Sequence, residues 1–246
     1  MKAVILVAGR GNRLRPLTDR TPKCLLRIND KTILEHQISN LFYYGIRSII
    51  LVVGYKIDAV VNAISQMKEK YCGLDIIFVE NPIYYKTNTL YSLWLASRHV
   101  RHDDFLYLNG DVVFGKKVLE ALLNSPYDAC LAVEKKRVGR EEVKVIVNQG
   151  FVKRIGKDLD PSESYGEFIG IAKFSKNFNK LLIRKLNSLV RQKFINEFFE
   201  KALDELARVI NIRVVDITGL PCIEVDTLED YEVAKEIYNS YLKGEE

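Results

Sequence analysis

The sequence contains little cysteine and little proline, with 4 Cys and 6 Pro in 246 residues. The cysteines lie far apart and form no Cys-x-x-Cys pair, which argues against a disulfide framework and a zinc site. They are typical of free thiols in a reducing compartment. The low proline and glycine content and the 48% hydrophobic residues exclude a collagenous, low-complexity or disordered protein. The cysteines are Cys24, Cys72, Cys130 and Cys222.

Long apolar runs are also lacking. The apolar stretch nearest the N-terminus covers only residues 3–8 and is followed directly by Gly-Arg-Gly. A secretory signal needs an apolar core of about 7–15 residues, and a membrane-spanning helix needs about 20. We therefore expect a cytoplasmic protein without a membrane span.

A large excess of one charge is absent as well, since 37 Lys and Arg face 32 Asp and Glu, for a net charge of +5. Proteins that coat nucleic acids usually concentrate basic residues in runs or stripes. The small excess argues against such a partner. It remains compatible with a small polyanion such as a nucleotide or a phosphorylated metabolite.

Short β-branched runs alternate with helical patterns through the first half of the chain. This rhythm predicts an α/β fold with a mainly parallel sheet that is covered by helices on both faces. We expect strands at residues 2–7, 48–53, 75–79, 105–109 and 129–133, and helices at 33–44, 57–71, 89–97 and 116–124.

The second half has a different pattern. Residues 143–147 and 151–155 flank Asn148-Gln149-Gly150 and predict a hairpin. Thr227, followed by Glu229 and Asp230, predicts the N-cap of a last helix that ends near Lys243. Further strands are expected at 168–174, 212–217 and 222–225, and helices at 177–187 and within 193–208. No linker separates the halves, so we predict one domain over 1–246, with a nucleotide-binding front half (about 1–135) and a back half (about 136–246).

The strongest local signal is the segment of residues 6–26, LVAGRGNRLRPLTDRTPKCLL, which begins where the first strand ends. Its glycines allow backbone N–H groups to face phosphate oxygens, and its cations neutralise charge. Leu14 stands where a dinucleotide fingerprint needs its third glycine, and the Gly-Lys-Ser/Thr ending of a Walker A loop is absent. A basic surface loop is the structural alternative, but long loops without structure are uncommon unless functional or disordered.

The pattern Gly-x-Gly-x-Arg-Leu-x-Pro-Leu-Thr with Pro22-Lys23 resembles the signature of the sugar-phosphate-type nucleotidyltransferases. The resemblance extends from Lys2 to about Lys235. It implies a Rossmann-like nucleotidyltransferase fold whose loop wraps a nucleoside triphosphate, with Arg13 and Lys23 as catalytic residues on its phosphates. The nucleotide-binding residues of this segment would be Ala8, Gly9, Gly11, Asn12, Arg13 and Lys23.

A carboxylate follows the buried strand of Leu108-Asn109-Gly110-Asp111. On its own, such an Asp is more often a loop or capping residue than a ligand. The resemblance implies that Asp111 binds Mg²⁺ with Asp226 as the second carboxylate, while Gly110 contacts the nucleotide. Capping of the last helix is the structural alternative for Asp226, and the two roles do not exclude each other.

The segment of residues 80–96, ENPIYYKTNTLYSLWLA, has helical spacing that is typical of a packed face. It also resembles the cytidylyltransferase branch of the family, which acts on small phospho-alcohols and phosphonates, where sugar nucleotide enzymes typically carry Gly-Leu-Ala. This departure favours CTP over UTP or dTTP. By resemblance, Glu80, Asn88 and Ser92 lie near the nucleotide.

The acceptor side is predicted from three stretches that match the same branch in order and rough spacing. Lys157 matches the lysine that meets the acceptor phosphate and counts as a third catalytic residue. Glu167 stands where acceptor hydroxyls or a cationic head group are held. Lys144 is expected to reach phosphates, although a solvated hairpin lysine is an equal alternative.

The implied reaction is attack of a phosphomonoester oxygen on the α-phosphorus of CTP, with release of pyrophosphate. Inositol-1-phosphate is the leading acceptor and phosphocholine the alternative, for which Tyr84, Tyr85, Tyr91 and Trp94 would supply an aromatic cage. Another sugar-1-phosphate also stays open. From other classes, a non-catalytic nucleotide-binding relative and a dinucleotide oxidoreductase are the alternatives. The sequence does not decide whether the chain forms a homodimer.

Overall fold

The computed structural model describes residues 1–243, and its strands and helices alternate through the first half as the sequence predicts. The strands are β1 (Lys2–Leu6), β2 (Arg27–Ile28), β3 (Lys31–Thr32), β4 (Ser48–Val53), β5 (Asp75–Glu80), β6 (Phe105–Asn109), β7 (Val112–Phe114), β8 (Ala129–Glu134), β9 (Lys144–Asn148), β10 (Phe151–Gly156), β11 (Gly166–Phe174), β12 (Arg213–Asp216) and β13 (Cys222–Glu224). The helices are α1 (Ile33–Tyr43), α2 (Ile57–Lys70), α3 (Thr89–Val100), α4 (Lys116–Leu123), α5 (Lys176–Arg191), α6 (Glu200–Ala207) and α7 (Leu228–Ile237).

One nine-stranded sheet runs through both halves of the chain, in the order β5-β4-β1-β6-β11-β8-β12-β10-β9. The front half is parallel, since β1 pairs with β4 and β6, and β4 pairs with β5. In the back half, β11 is antiparallel to β6, β8 and β9, and β10 is antiparallel to β9 and β12. The predicted α/β fold is therefore confirmed, and its sheet is mixed: it is parallel through the first half and largely antiparallel in the second, where only β12 pairs in parallel, with β8, among the described strands.

Helices cover both faces of this sheet. Side chains alternate along β1, so that Val4 faces a core with α3, α5 and α6, while Ala3 and Ile5 face a core with α1, α2 and α4. A third cluster joins α7 to the segment after β1, through Leu14, Ile28, Val225 and Tyr238 among others. This third cluster positions Asp226 beside the loop of residues 6–26.

The chain order reverses between β1 and β6. From β1 the chain proceeds to β4 and β5 on one side, and it then returns to place β6 on the other side of β1. Such a switch point leaves a crevice at the carboxyl ends of the strands. Gly110 follows β6 in this crevice, and a Cβ there would lie 2.5 Å from the Leu6 carbonyl oxygen, so a larger residue would displace the β1 backbone.

Most predicted elements agree with the structure within a few residues, and the hairpin around Asn148-Gln149-Gly150 forms between β9 and β10. Thr227 caps α7 in a capping box with Asp230, as its position before the acidic residues predicts. The helix ends at Ile237 and is followed by one π-helical turn, Tyr238–Leu242. The strand predicted at 222–225 is β13, which pairs with β7 in a separate two-stranded sheet. The sequence did not predict β7, β2 or β3, because strands of two or three residues have no measurable periodicity.

Each of the four cysteines is a free thiol, as predicted from their spacing. Among residues 1–243, no helix combines the length and the apolar character that crossing a bilayer requires.

Candidate active site

A cleft of about 370 Å³ opens at the switch point between β1 and β6. Its walls come from the loop after β1, the N-terminus of α3, the turn after β6 and the segment after β13. The cleft brings together most of the residues predicted from the sequence, which are Ala8, Gly9, Gly11, Asn12, Arg13, Lys23, Asn88, Ser92, Gly110, Asp111, Lys157 and Asp226.

We call the side of the cleft formed by Arg13, Lys23, Asp111 and Asp226 the front wall, and Lys23 lies at its centre. Its Nζ donates to Asp111 Oδ2 at 2.7 Å and to Asp226 Oδ1 at 2.6 Å, and only 13% of its side chain is exposed. Arg13 Nη2 donates to the other carboxylate oxygen of Asp226, also at 2.7 Å. Residues that are 88 and 203 positions apart in the chain from Lys23 thus share one ammonium group.

This network shifts the pKa values of its members. Burial would lower the pKa of Lys23, but the Asp111 and Asp226 carboxylates raise it above its ordinary value. For Asp226, burial acts against ionisation, yet Lys23 and Arg13 lower its pKa below the usual range. The lysine is therefore a fixed cation and Asp226 a fixed anion at neutral pH. Such a site can bind phosphates only if its cations outnumber its carboxylates, or if the cations leave their carboxylate partners and contact the phosphates instead.

The local structure around Asp226 separates its two suggested roles. Thr227, and not Asp226, is the N-cap of α7. The backbone N–H of Asp226 donates to Asp230 Oδ2 at 3.0 Å, which fixes its backbone while its carboxylate remains directed at Lys23 and Arg13. Capping by its neighbour thus orients Asp226 into the cleft.

The loop after β1 forms short 3₁₀ turns, among them Asn12–Leu14 and Lys23–Leu25. Gly11 precedes the first turn with φ of 64°, a left-handed conformation that favours glycine. Thr18 Oγ1 donates to the Gly11 carbonyl at 2.9 Å and closes the loop. Of its five basic residues, Arg13 and Lys23 line the cleft, whereas Arg15 pairs with Asp19 at 3.1 Å. The other two are Arg10 and Arg20.

The N-terminus of α3 forms the wall opposite this loop. Asn88 caps the helix, its Oδ1 accepting from the Thr89 N–H at 2.9 Å, and it also lines the cleft. Asn81, which is 1% exposed, donates through Nδ2 to Thr87 at 2.9 Å and to Ser92 at 3.1 Å. A helix N-terminus with its cap favours an anion or a polar base edge.

Glu80 does not join this wall, in contrast to the prediction. It is exposed at the end of β5 and does not line the cleft, because side chains alternate along a strand and its neighbour Asn81 takes the inward position. Asn81 was missed by the sequence reasoning. The signal that could have found it is its position directly after a buried strand.

Lys157 lies where the cleft joins a second cavity of about 490 Å³, on the back half of the molecule. Its ammonium lies 4.6 Å from the ring centroid of Phe198, and it forms no ion pair within residues 1–243. The two cavities also share Val143, Phe198 and Glu200. Lys157 is thus a free cation between two spaces of ligand size.

Lys144 and Glu167, the other predicted acceptor residues, line neither cavity. The Lys144 side chain is fully buried, and its three N–H donors go to the carbonyls of Arg140, Glu142 and Lys157. Glu167 pairs with Lys136 at 2.7 Å and is 7% exposed. Both side chains hold neighbouring strands and loops in place, and neither borders the two cavities in this structure.

The four aromatic residues considered for a cage do not converge. Tyr84 lines the cleft, whereas Tyr85 is 56% exposed. Tyr91 packs against Trp94 with ring centroids 5.3 Å apart, and the Trp94 indole donates to Asn187 on α5, on the far side of α3. No aromatic enclosure for a quaternary ammonium group forms from these side chains.

Two carboxyl groups in the cleft were not assigned from the sequence, the half-buried Glu224 and the buried Glu200. Burial raises the pKa of Glu224 well above its ordinary value, and the carboxylates of Asp111, Glu167 and Asp226 raise it further. Burial also raises the pKa of Glu200 to about 7. Within residues 1–243, Glu200 Oε2 is buried without a hydrogen-bond partner. Glu224 stands two residues before Asp226, a signal the sequence offered, whereas nothing marks Glu200 in its helix.

The carboxylate pair fits a divalent cation. Asp111 Oδ1 is buried without a hydrogen-bond partner in the part of the chain that the structure describes, and Asp111 and Asp226 contact the same ammonium. No cluster of three or more His, Cys, Asp or Glu side chains suited to a metal occurs there. Mg²⁺ usually binds one or two carboxylates, and phosphate oxygens complete its coordination shell. The carboxylate oxygens of Asp111 and Asp226 are donors of the type that Mg²⁺ prefers.

Comparisons with known proteins agree with this geometry. The family model described as "Nucleotidyl transferase" matches residues 2–133. The choline-phosphate cytidylyltransferase of Streptococcus pneumoniae (strain ATCC BAA-255 / R6) is 27% identical over 245 residues, which cover 96% of this chain and 98% of that protein. The CTP:phosphoglutamine cytidylyltransferase of Campylobacter jejuni is 28% identical over 256 residues, covering 95% and 98%.

Among solved structures, the inositol-1-phosphate CTP transferase from T. maritima superposes with a TM-score of 0.78. It is 22% identical, and the match covers 97% of this chain and 96% of that one. At this identity the likeness concerns the fold alone.

Proposed function

This chain belongs to the nucleotidyl transferase family, and on that premise we propose that it transfers CMP from CTP to a small phosphorylated alcohol. The acceptor that we favour is inositol-1-phosphate, which would give CDP-inositol and pyrophosphate. Two full-length relatives named as cytidylyltransferases support the choice of CTP.

One observation carries the proposal. The cleft holds a cluster of cations and paired carboxylates on its front wall, and a free lysine, Lys157, where it joins a second cavity. Transfer of a nucleotidyl group brings two phosphorylated substrates together, so two anions must be neutralised at once. A cleft with cations on both sides, Arg13 and Lys23 on one and Lys157 on the other, meets this need.

The position of each residue in the cleft suggests which part of the substrates it would bind. The Asn88-capped N-terminus of α3 and the loop of residues 6–26 would hold the nucleotide. Arg13 and Lys23 would bind the phosphates that depart as pyrophosphate. Lys157 would hold the acceptor phosphate so that its oxygen approaches the α-phosphorus in line. The bond from this phosphorus to the bridging oxygen breaks as the new one forms, and no covalent enzyme intermediate is needed.

Asp111 and Asp226 would hold Mg²⁺ in this scheme. When bound, the ion supplies positive charge that polarises the phosphate oxygens. The Lys23 ammonium now lies between both carboxylates, at 2.7 and 2.6 Å. Ligand binding would therefore require Lys23 to exchange carboxylate contacts for phosphate contacts.

The second cavity supports a hydrophilic acceptor. It is lined by charged groups of both signs, among them Arg154, Asp158, Glu197 and Lys201, and by one aromatic ring, that of Phe198. A polyol finds both hydrogen-bond donors and acceptors there. These groups favour inositol-1-phosphate.

Phosphocholine is the second candidate. The Streptococcus pneumoniae relative, which matches nearly the full length, is named for this acceptor. Phe198 and Glu197 line the second cavity and offer one aromatic face and one carboxylate to a quaternary ammonium. One ring makes a weaker site than a cage, so we place this acceptor second.

Pyrophosphate release decides between these candidates. We would measure it for CTP, UTP and dTTP, each combined with inositol-1-phosphate, phosphocholine and 2-aminoethylphosphonate. CTP with inositol-1-phosphate should give the highest kcat/KM. Equal rates with UTP or dTTP would contradict the nucleotide assignment, and faster turnover of phosphocholine would replace the acceptor. Binding of CTP without turnover of any pair would favour a regulatory relative.

A further inference from the structure

A second, separate pocket lies between α3 and α5, and we refer to it as the α3–α5 pocket. It measures about 580 Å³ and shares no lining residue with the active-site cleft. Trp94, Leu95 and Ile183 provide apolar surface, and the Trp94 indole is held by its hydrogen bond to Asn187 at 2.8 Å. Its size is in the range of pockets that bind small molecules, about 300–1,000 Å³.

The charges around this pocket have one sign. Arg98 and Arg101 line it from α3 and the turn that follows, and Lys180 and Arg184 line it from α5. His102 is the fifth basic residue, and no Asp or Glu is present among the lining residues. Like charges that face one concave surface repel each other, and they focus a positive potential there.

These four cations also have no internal counter-ions. Within residues 1–243, none of them forms an ion pair with a carboxylate. The carboxylates nearest along the chain are engaged elsewhere, since Asp103 pairs with Lys2 at 2.8 Å and Asp104 accepts from the Lys176 N–H at 2.6 Å. By contrast, the cavity beside Lys157 contains Arg154 and Arg208 paired with Asp204.

We propose that the α3–α5 pocket binds a soluble ligand with two or more phosphate groups on an apolar or aromatic body, the chemistry of a nucleoside di- or triphosphate. The cations on both walls would hold the phosphates, and the surface formed by Trp94, Leu95 and Ile183 would take the body. The concave shape distinguishes this site from a flat surface for an anionic membrane.

The pocket has a route to the active site. Helix α3 begins at the cleft, where Asn88 and Ser92 line the nucleotide wall, and it reaches the pocket two residues later at Trp94. A ligand that bridges α3 and α5 would restrain the helix whose N-terminus binds CTP in the proposed function. The binding itself does not depend on that function.

Trp94 is the single tryptophan of the chain and lines this pocket, so its fluorescence reports binding directly. We would titrate the protein with CDP and with inorganic tripolyphosphate. We expect a saturable change for both, stronger binding for CDP and weaker binding at higher salt. The R98E/R184E variant should bind CDP about a hundredfold more weakly, because two charge-assisted contacts are lost.

Three controls assign the signal. K68E/K117E makes the same change in charge at two exposed lysines outside the pocket and should bind normally. R13A/K23A removes two cations of the cleft and should keep the response. R98Q/R184Q should also weaken binding while avoiding new repulsion, and circular dichroism verifies that each variant folds.

The outcomes are distinct. Loss of the CDP response in R98E/R184E and R98Q/R184Q, with retention in the other two variants, supports the proposal. No response to CDP or tripolyphosphate would overturn it, as would a response that survives R98E/R184E or disappears in R13A/K23A. A change with vesicles of phosphatidylcholine and phosphatidylglycerol in equal parts, but not with CDP, would also overturn it.

Discussion

The front wall of the active-site cleft differs in its charge pairing from the side that contains Lys157 and Glu200, which we call the back wall. On the front wall, Lys23 contacts both Asp111 and Asp226, and Arg13 contacts Asp226, so every charge has a partner at 2.6–2.7 Å. On the back wall, Lys157 has no ion pair within residues 1–243.

In the proposed function, this difference would allow one fold to serve different acceptors. The closed network on the front wall would hold the nucleoside triphosphate, the substrate that the reaction of the family shares. Unpaired groups on the back wall are free to bind a ligand, because they need not break an internal contact first. The following predictions test this division, from the largest effect to the smallest.

Removal of a front-wall carboxylate should abolish activity. Asp111→Ala or Asp226→Ala should reduce pyrophosphate release by at least about a thousandfold, because each variant lacks one of the two carboxylates proposed to hold Mg²⁺. Asp128, which is exposed and unpaired in the described chain, provides the control: Asp128→Ala should leave the rate unchanged. Near-normal release by either variant would contradict the two-aspartate site.

Loss of the shared cation should have the next largest effect. Lys23→Ala should reduce kcat at saturating CTP by about a hundred- to thousandfold, since charge-assisted phosphate contacts disappear. Arg15→Ala removes a cation from the same loop, but one that pairs with Asp19 at the surface. Its turnover should change less than about twofold, and equal losses in both variants would indicate a general effect of loop charge.

The back wall should respond through the acceptor alone. Lys157→Ala should raise the KM for the acceptor about ten- to hundredfold and leave the KM for CTP nearly unchanged. Lys153 lies exposed on β10, the strand that ends directly before Lys157, and Lys153→Ala is the matched control. A matching rise in the KM for CTP would remove the distinction between the two walls.

The smallest effect concerns stability. Burial raises the pKa of Glu200 from 4.5 to about 7, so the folded state holds its proton more tightly than the unfolded state. The resulting stabilisation is present in full below pH 4.5 and is lost as the pH rises through 7. Relative to Glu200→Gln, the unfolding free energy of the wild type should fall by about 3 kcal/mol across this interval.

Urea unfolding of both proteins across this pH range tests the prediction. The exposed Glu80 offers the control, and Glu80→Gln should leave the pH dependence of the wild type unchanged. Parallel curves for wild type and Glu200→Gln would show that Glu200 titrates normally.

The sequence was most informative about the front wall. Arg13, Lys23 and Gly110 belong to segments that follow buried strands, and their spacing is preserved by short turns. The resemblance to the family signature assigned Arg13 and Lys23 to one site. Because the carboxyl ends of parallel strands meet at one edge, Gly110 after β6 is expected beside the loop after β1.

The side-chain directions on the back wall were harder to predict, because the hairpin of β9 and β10 has two faces. Lys144 and Lys157 are close in the structure, where one carbonyl links them, yet Lys144 is fully buried and Lys157 faces the cavity. A shift of one residue along a strand reverses the direction of a side chain. Glu200 is a further case, since only the packing of α6 against the sheet shows that its carboxyl group is buried.

By itself, the sequence determined the α/β alternation and the loop after the first strand, because these depend on periodicity and on residues near strand ends. Asp111 and Asp226 were paired only through the resemblance to a family. Tertiary structure alone decided which charges are paired. Lys23 contacts Asp226 from 203 positions away, and Arg98 and Arg184 line one pocket from two helices, with no carboxylate among its lining residues. Pairing depends on distances of a few ångströms between remote segments, and local sequence contains no record of those distances.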